Sequence, residues 1–438
     1  MSEPGSDLKG QVQVRLNLWF LPVLVGLLLV MQVIAPFKGW VILLVGLGGA
    51  LLVSFFWMRS LAGGLRFTRE MRFGWAQVGD RLEERFGIEN NGWAPAPLIE
   101  MIDHSTMPGY TAGRGTGVGG GSVVQWHTQA DCIRRGVFTL GPTTLTASDP
   151  FGVFSVTVHY EATAPFVVMP PLVPLPGIEV SPGGRTGEGR PRANAPNRTV
   201  SAASVREYAP GDSLRWIHWR TSARRDSLFV RLFDGVPAGD WWVVLDMDEH
   251  VQAGEGEDST EEHGVILAAS LADRGLQSGR AVGLVMHGED LTWLVPQRGD
   301  TRRWEILRAL AEVCPGPRPL SELLAQTGSA VDQYASLVII TPAAQGDWAE
   351  SLVPLLRRGI APTVLLLDPA SFGGNGSVHG AAALLSDLEV AHYVITRDLL
   401  DRAETRPGRK GHYDWQVLGT GRVLQKHPLR DVAWKELA

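Results

Sequence analysis

The stretch WWVVLDMD (Trp241–Asp248) runs five uninterrupted apolar residues into carboxylates at Asp246 and Asp248. A short continuous apolar run with a polar stop is the pattern of a strand buried on both faces. Downstream the pattern repeats. A helical segment over His263–Gln277 precedes AVGLVMH (Ala281–His287), and the helical WEILRALAEV precedes SLVIITP (Ser336–Pro342). Then the helical WAESLVPLLRRG leads into PTVLLLD (Pro362–Asp368). Strands alternating with helices predict a parallel sheet covered on both faces, so residues 236–438 read as an α/β domain. Ligands in such sheets bind beyond the carboxyl ends of the strands, which places Asp246, Asp248 and Asp368 at the edge where chemistry is expected.

Immediately upstream, residues 201–235 contain REYAPGDSLRWIHWRTSARRDSLFVR (Arg206–Arg231). Pro210-Gly211-Asp212 is a turn with a mechanism: Pro presets φ, Gly tolerates positive φ, and Asp212 caps a following helix. Leu214, Ile217, His218 and Thr221 then fall on one face of a short helix, and DSLFVRLF returns as a strand. The expected unit is strand, turn, short helix, strand, with Trp216 and Trp219 anchored against a neighbour. The preceding segment, 179–200, is rich in Gly, Pro and Arg and reads as an exposed loop. Residues 179–231 hold ten arginines, no lysine and five acidic residues, a local +5 in a chain of net charge -6. Arginine forks bind carboxylates and phosphates in pairs and stack on indoles. Four readings compete: a structural knot, a docking surface for protein or anionic lipid, a nucleic-acid platform, and a catalytic His218.

Between residues 63 and 178 the rhythm is β. In RLEERFGIENN, Leu82, Phe86 and Ile88 alternate with Arg81, Glu83, Arg85 and Glu89, the period of a half-buried strand. Turn signals recur at Val78-Gly79-Asp80, Asn90-Asn91-Gly92, Leu140-Gly141-Pro142 and Asp149-Pro150-Phe151-Gly152, which suggests a small sandwich. GRGTGVGGG (Gly113–Gly121) lacks the GK[ST] ending of a phosphate loop and is expected to be a hairpin tip.

The N-terminus carries two uncharged runs, LNLWFLPVLVGLLLVMQVIA (Leu16–Ala35) and GWVILLVGLGGALLVSFFWM (Gly39–Met58), each 20 residues long. As helices they extend roughly 30 Å, the thickness of a bilayer core. Only APFK separates them, so residues 16–58 read as a transmembrane hairpin after a cytoplasmic tail over 1–15. Lys9 and Arg15 precede it and Arg59, Arg66, Arg69 and Arg72 follow, against Lys38 in the loop. That asymmetry puts both ends in the cytoplasm, and the hairpin is expected in the inner membrane. The two cysteines, Cys132 and Cys314, form neither a CxxC pair nor a disulfide framework, as expected of a reducing compartment.

The string REYAPGDSLRWIHWRTSAR resembles the signature of the domain-of-unknown-function 58 family. Arg206, Glu207, Tyr208, Pro210, Gly211, Asp212, Arg215, Ile217, Trp219, Ser222, Ala223 and Arg224 occupy matching positions. RRGVFTLGPTTLTASDPFGVF (Arg134–Phe154) is similar to a second recurring block. The resemblance implies a membrane-tethered bacterial or archaeal protein with a C-terminal domain similar to a von Willebrand factor type A domain. It also implies a MoxR-type AAA+ ATPase as partner, no established activity, and partner docking through the signature residues. A type A domain holds a divalent cation through D-x-S-x-S after its first strand. Here Asp246-Met247-Asp248 keeps the first Asp and lacks both serines, leaving Asp246 and Asp248 as candidate ligands of a degenerate site. The fold class expected is thus α+β multidomain: a two-helix hairpin, a β-sandwich-like body and the α/β body. The function expected is a non-enzymatic adaptor without cofactor. The alternatives are a metal-dependent hydrolase or nuclease, or an anionic-lipid binding module.

Overall fold

The computed structural model describes residues 10–175, 177–181, 202–208, 217–225, 227–233, 239–332, 335–400, 414–417, 423–426 and 435–436. Pro210, Gly211, Asp212, Arg215 and Trp216 of the signature, Lys9 and most of the 179–200 loop lie outside them. The chain is a mixed α+β protein that divides into two units. One comprises Met1–Val173, Leu307–Val313 and Asp398–Ala438; the other comprises Pro174–Ile306 and Cys314–Arg397.

The first unit opens with strand β1 (Gln11–Leu16) and two apolar helices, α1 (Phe20–Ile34) and α2 (Lys38–Gly64), which pack on one another. The span expected over Leu16–Ala35 is therefore shorter than its apolar run, 15 helical residues or about 22 Å. The reason is β-pairing: β1 runs antiparallel to β10 (Phe154–Tyr160) from Gln11↔His159 to Leu16↔Phe154. The Asn17 amide then donates to Val153 O at 2.8 Å. Residues 11–15, expected as tail, are likewise strand. Helix α1 starts where Pro22 falls in its first turn and costs no intrahelical bond. Helix α2, by contrast, is 27 residues long and apolar enough to cross a membrane.

From α2 the chain passes directly into β2 (Leu65–Met71), β3 (Trp75–Gln77), β4 (Arg81–Asn90), β5 (Ala96–Asp103), β6 (Arg114–Val118), β7 (Ser122–Asp131), β8 (Gly136–Leu140), β9 (Thr143–Ser148), β10 and β11 (Ala164–Met169). Strands β1, β10, β9, β5 and β6 form one sheet, and β2, β4 and β7 lie in a second with Lys435–Glu436 beside β2. The two sheets share one core. Leu82, Phe86 and Ile88 of β4 enter it with Ile99 and Met101 of β5, Leu145 of β9 and Val156 of β10. The glycine run is not a hairpin tip: β6 pairs with β5 and β7 with β4, so Gly119–Gly121 carries the chain from one sheet to the other. Gly121 supplies the left-handed φ of 65° that this crossing uses.

The second unit contains a two-stranded sheet of β12 (Ala202–Glu207) and β13 (Phe229–Phe233), flanking α3 (Trp219–Arg225). Its larger sheet is built from β14 (Trp241–Leu245), β15 (Val282–His287), β16 (Leu291–Gln297), β17 (Ser336–Thr341), β18 (Pro362–Leu367) and β19 (Ala391–Ile395). The order is β16-β15-β14-β17-β18-β19, with all neighbours parallel except the β15–β16 edge pair. Edge strand β16 carries Pro296, which lacks a ladder donor and is tolerated at an edge. Helix α4 (Thr260–Gln277) covers one face so closely that a Cβ on Gly264 would stand 3.1 Å from Leu245. On the other face Val244, Ile339 and Leu366 pack with Leu323, Leu352 and Leu385.

Candidate functional site

In the signature, the backbone is committed before the helix begins. Ile217 bridges to Val230, and the His218 amide donates to Phe229 O at 2.7 Å. The expected helical face beginning at Leu214 therefore differs: α3 starts only at Trp219, because Ile217 is held in a β-bridge. His218 is the cap of that helix. Its Nδ1 accepts from the Thr221 amide at 3.2 Å and lies 2.7 Å from the Thr221 hydroxyl, while its carbonyl accepts the Thr221 and Ser222 amides. An Nδ1 that accepts an amide proton places the neutral ring's own proton on Nε2. Ser222 is buried; its hydroxyl accepts the Phe229 amide at 2.8 Å and lies 3.2 Å from His218 O. The Tyr208 amide closes the unit on Leu228 O at 2.7 Å.

What remains outward is cationic and aromatic. Trp219 is 68% exposed, so it is not an anchor, and Arg220, Arg224 and Arg225 beside it are exposed too. Arg225 also lies over the Phe229 ring at 5.7 Å. Of the other signature residues, Glu207 is exposed and Tyr208 half-buried, while Arg206 lies in β12.

At the carboxyl end of the large sheet, Asp246 is buried, and both its oxygens are taken. Oδ2 accepts the Thr341 hydroxyl at 2.6 Å and Oδ1 the Asp248 amide at 3.1 Å. Thr341 in turn accepts the Ala343 amide at 3.0 Å. Burial pushes the Asp246 carboxyl up to about 6, with the Thr341 and Asp248 hydrogen bonds opposing. Asp248 Oδ1 accepts the His250 amide and meets His250 Nδ1 at 2.9 Å, which raises the exposed imidazole's pKa. Asp368 sits at the end of β18, with its Oδ1 buried and lacking a hydrogen-bond partner. A divalent cation needs oxygen lone pairs converging on one centre. Asp246 faces proton donors instead, and no group of three His, Cys, Asp or Glu is placed to hold a metal among the described residues. The residues do not fit a cation at this position. The arrangement locks the ends of β14 and β17 together.

One polar cluster escaped the sequence reading. Arg69, counted there as a membrane-flanking charge, is buried in the first unit. Its Nε and Nη2 meet Glu84 Oε1 and Oε2 at 2.7 and 2.8 Å, and its Nη1 meets Asp103 Oδ1 at 2.7 Å. Tyr110 donates its hydroxyl to Glu84 Oε2, and Arg69 Nη2 donates to Ser105 Oγ. Glu84 lies at an even position of β4, on the face of Leu82, Phe86 and Ile88. Parity alone was the signal that it points inward.

Residues 204–372 match the model of a family described as protein of unknown function DUF58. A curated relative, the uncharacterized protein YeaD of Bacillus subtilis (strain 168), is 29% identical over 168 residues, 38% of this chain and 39% of the relative. The chain thus spans about two fifths of that relative's length. Among solved structures, the CARDB domain of the PF1109 protein from Pyrococcus furiosus in complex with di-metal ions is 11% identical. It covers 24% of this chain and 94% of its own, with a TM-score of 0.18. A Listeria innocua beta-glucosidase in complex with glucose is 9% identical over 24% of this chain and 16% of its own, with a TM-score of 0.16. Both scores are too low to carry an argument. Residues 204–372, which include the signature, are thus similar to the DUF58 family of proteins of unknown function.

Proposed function

We propose that the chain is a membrane-anchored, non-enzymatic adaptor that docks a MoxR-type AAA+ ATPase, with a second unit resembling a von Willebrand factor type A domain. The single observation that carries the docking reading is α3. Its inward residues, Ser222 with the cap His218, serve backbone hydrogen bonds, while Trp219, Arg220, Arg224 and Arg225 face outward. A helix that exposes an indole together with three arginines is suited to an acidic, aromatic-tolerant protein surface, since Trp and Arg dominate binding hot spots. Five parallel strands with a carboxylate just beyond the first support the type A resemblance. The exposed apolar side chains of α1 and α2, among them Val33, Ile42 and Val45, support an inner-membrane hairpin with both units on the cytoplasmic side.

The test is affinity capture of the full chain from detergent-solubilised membranes, followed by mass spectrometry. Capture of an AAA+ ATPase that is lost with Trp219→Ala/Arg224→Ala supports the reading. Capture that is indifferent to this pair removes α3 as the docking surface. Phosphodiesterase activity abolished by Asp246→Asn overturns the adaptor in favour of a hydrolase.

A further inference from the structure

The parts of α1 and α2 that project beyond the β body are shorter than the bilayer they are read to cross, although α2 as a whole is long enough. Helix α1 leaves the β body at Asn17, whose amide is bound to Val153 O. Helix α2 regains the body at Ser54, which is fully buried and donates its hydroxyl to Asp149 Oδ1 at 3.1 Å. Between these anchors each helix projects only about 15 residues, roughly 22 Å, against a hydrocarbon core of about 30 Å. At the anchors the body presents aromatic rings. Trp19 is 70% exposed at the head of α1. Phe151, 55% exposed, sits in the Asp149 turn, where its amide donates to the same Asp149 Oδ1 at 2.7 Å. One turn further along α2, Trp57 meets Trp93 edge-on at 5.7 Å and donates its Nε1–H to Pro95 O at 2.9 Å. Trp93 itself is 66% exposed, and Arg59 follows with an exposed guanidinium.

We propose that this end of the β body is sunk into the bilayer, with Trp19, Phe151 and Trp93 as an aromatic foot at the interface and Arg59 reaching lipid phosphate. The proposal rests on the membrane reading above. A hairpin short by about 8 Å is accommodated when its own base enters the lipid, because hydrophobic length and bilayer thickness match at small cost. Indoles favour that depth, having an apolar body and a polar N–H. An arginine stem lies along apolar surface while its head stays at the phosphates. The occupant of the face is thus the lipid bilayer, continuous with the apolar surface of α1 and α2.

The test uses the full chain with Cys314→Ser, leaving buried Cys132, reconstituted in phosphatidylglycerol-containing nanodiscs. Single cysteines replace Trp93 and Phe151, with Ile42→Cys within α2 and Ile133→Cys as references. Ile133 lies beyond the far end of the β4–β7 ladder, where Arg81 pairs Asp131, while Trp93 follows the Asn90↔Ser122 end. Each site carries a nitroxide, and collisions with oxygen and with a water-soluble nickel chelate are compared. The expected result is loss of nickel collisions at 42, 93 and 151 but not at 133. Nickel access at 93 and 151 with shielding at 42 overturns the sunken foot and leaves the membrane reading standing. Nickel access at 42 overturns both.

Discussion

Arg69 closes a two-pronged ion pair on Glu84 at a depth where their side chains are 4% and 0% exposed. The pair joins neighbouring strands at Arg69↔Phe86 and Met71↔Glu84, inside the core shared by the two sheets. Burial draws the guanidinium's pKa down, but the hydrogen bonds and charge of Glu84, with Asp103, more than offset it and hold it above its ordinary value. Burial, with the Glu84 charge, holds the Tyr110 phenol above its usual value. Breaking one side of a buried pair leaves an uncompensated charge, at a cost of about 3–5 kcal/mol. Arg69→Ala is therefore expected to lower the urea midpoint of the β body sharply. Arg69→Met combined with Glu84→Leu is expected to recover a large part of that loss, so the coupling read from the double-mutant cycle is large. Additive losses would show that the pair is not energetically connected.

Asp246 makes the second unit pH-sensitive in a defined direction. Its folded value of about 6 exceeds the 3.8 of an unperturbed carboxyl, so between those values the folded chain holds a proton that the unfolded chain has lost. Stability therefore falls as pH rises from about 4 to 6, by roughly 3 kcal/mol at most, and levels off above. Asp246→Asn retains an acceptor for the Asp248 amide and cannot ionise. Hydrogen exchange of the β14 and β17 amides from pH 4 to 7 is expected to show declining protection in the parent chain. The variant's profile is expected to be flatter.

The parallel sheet was legible because Trp241–Leu245, Ser336–Thr341 and Pro362–Leu367 are apolar without interruption, and only a doubly covered strand requires that. Strand β16 was not, since Pro296 and polar Thr292 disguise an edge strand. The apolar run at Leu16 was read as helix because hydropathy cannot distinguish a helix start from a strand paired to β10, a partner more than 130 residues away. At the candidate site, spacing marked the arginines of α3, while the expected Pro-Gly-Asp turn lies outside the described residues. Spacing could not reveal that Trp219 faces outward, because that depends on where Ile217 stops being strand.

The Asp149 turn offers a separate test of how α2 is held. One carboxylate accepts the Ser54 hydroxyl, the Phe151 amide and, through Oδ2, the Phe154 amide at 2.5 Å. Asp149→Ala removes all three at once and is expected to cost about 2–4 kcal/mol, given about 1–3 kcal/mol per unsatisfied buried group partly shared with water. Ser54→Ala is expected to cost about 1 kcal/mol. Thermal unfolding of the detergent-solubilised chain measures both, and equal losses would argue that the helix contact, not the turn, dominates.

His218 separates the structural from the catalytic reading of the signature. As the cap of α3, its Nδ1 performs what an Asn or Asp oxygen performs at other helix starts. His218→Asn is therefore expected to preserve α3, and His218→Ala to cost about 1 kcal/mol, read as faster exchange of the Thr221 and Ser222 amides. A catalytic imidazole would behave otherwise: Asn and Ala would be equally damaging to whatever the protein does, because neither transfers a proton near neutral pH. Capture of the proposed AAA+ partner by the Asn variant at the parent level, with partial loss for Ala, is the outcome that a capping role requires. Equal loss in both variants, with the helix amides still protected, would return the histidine to the list of reactive groups.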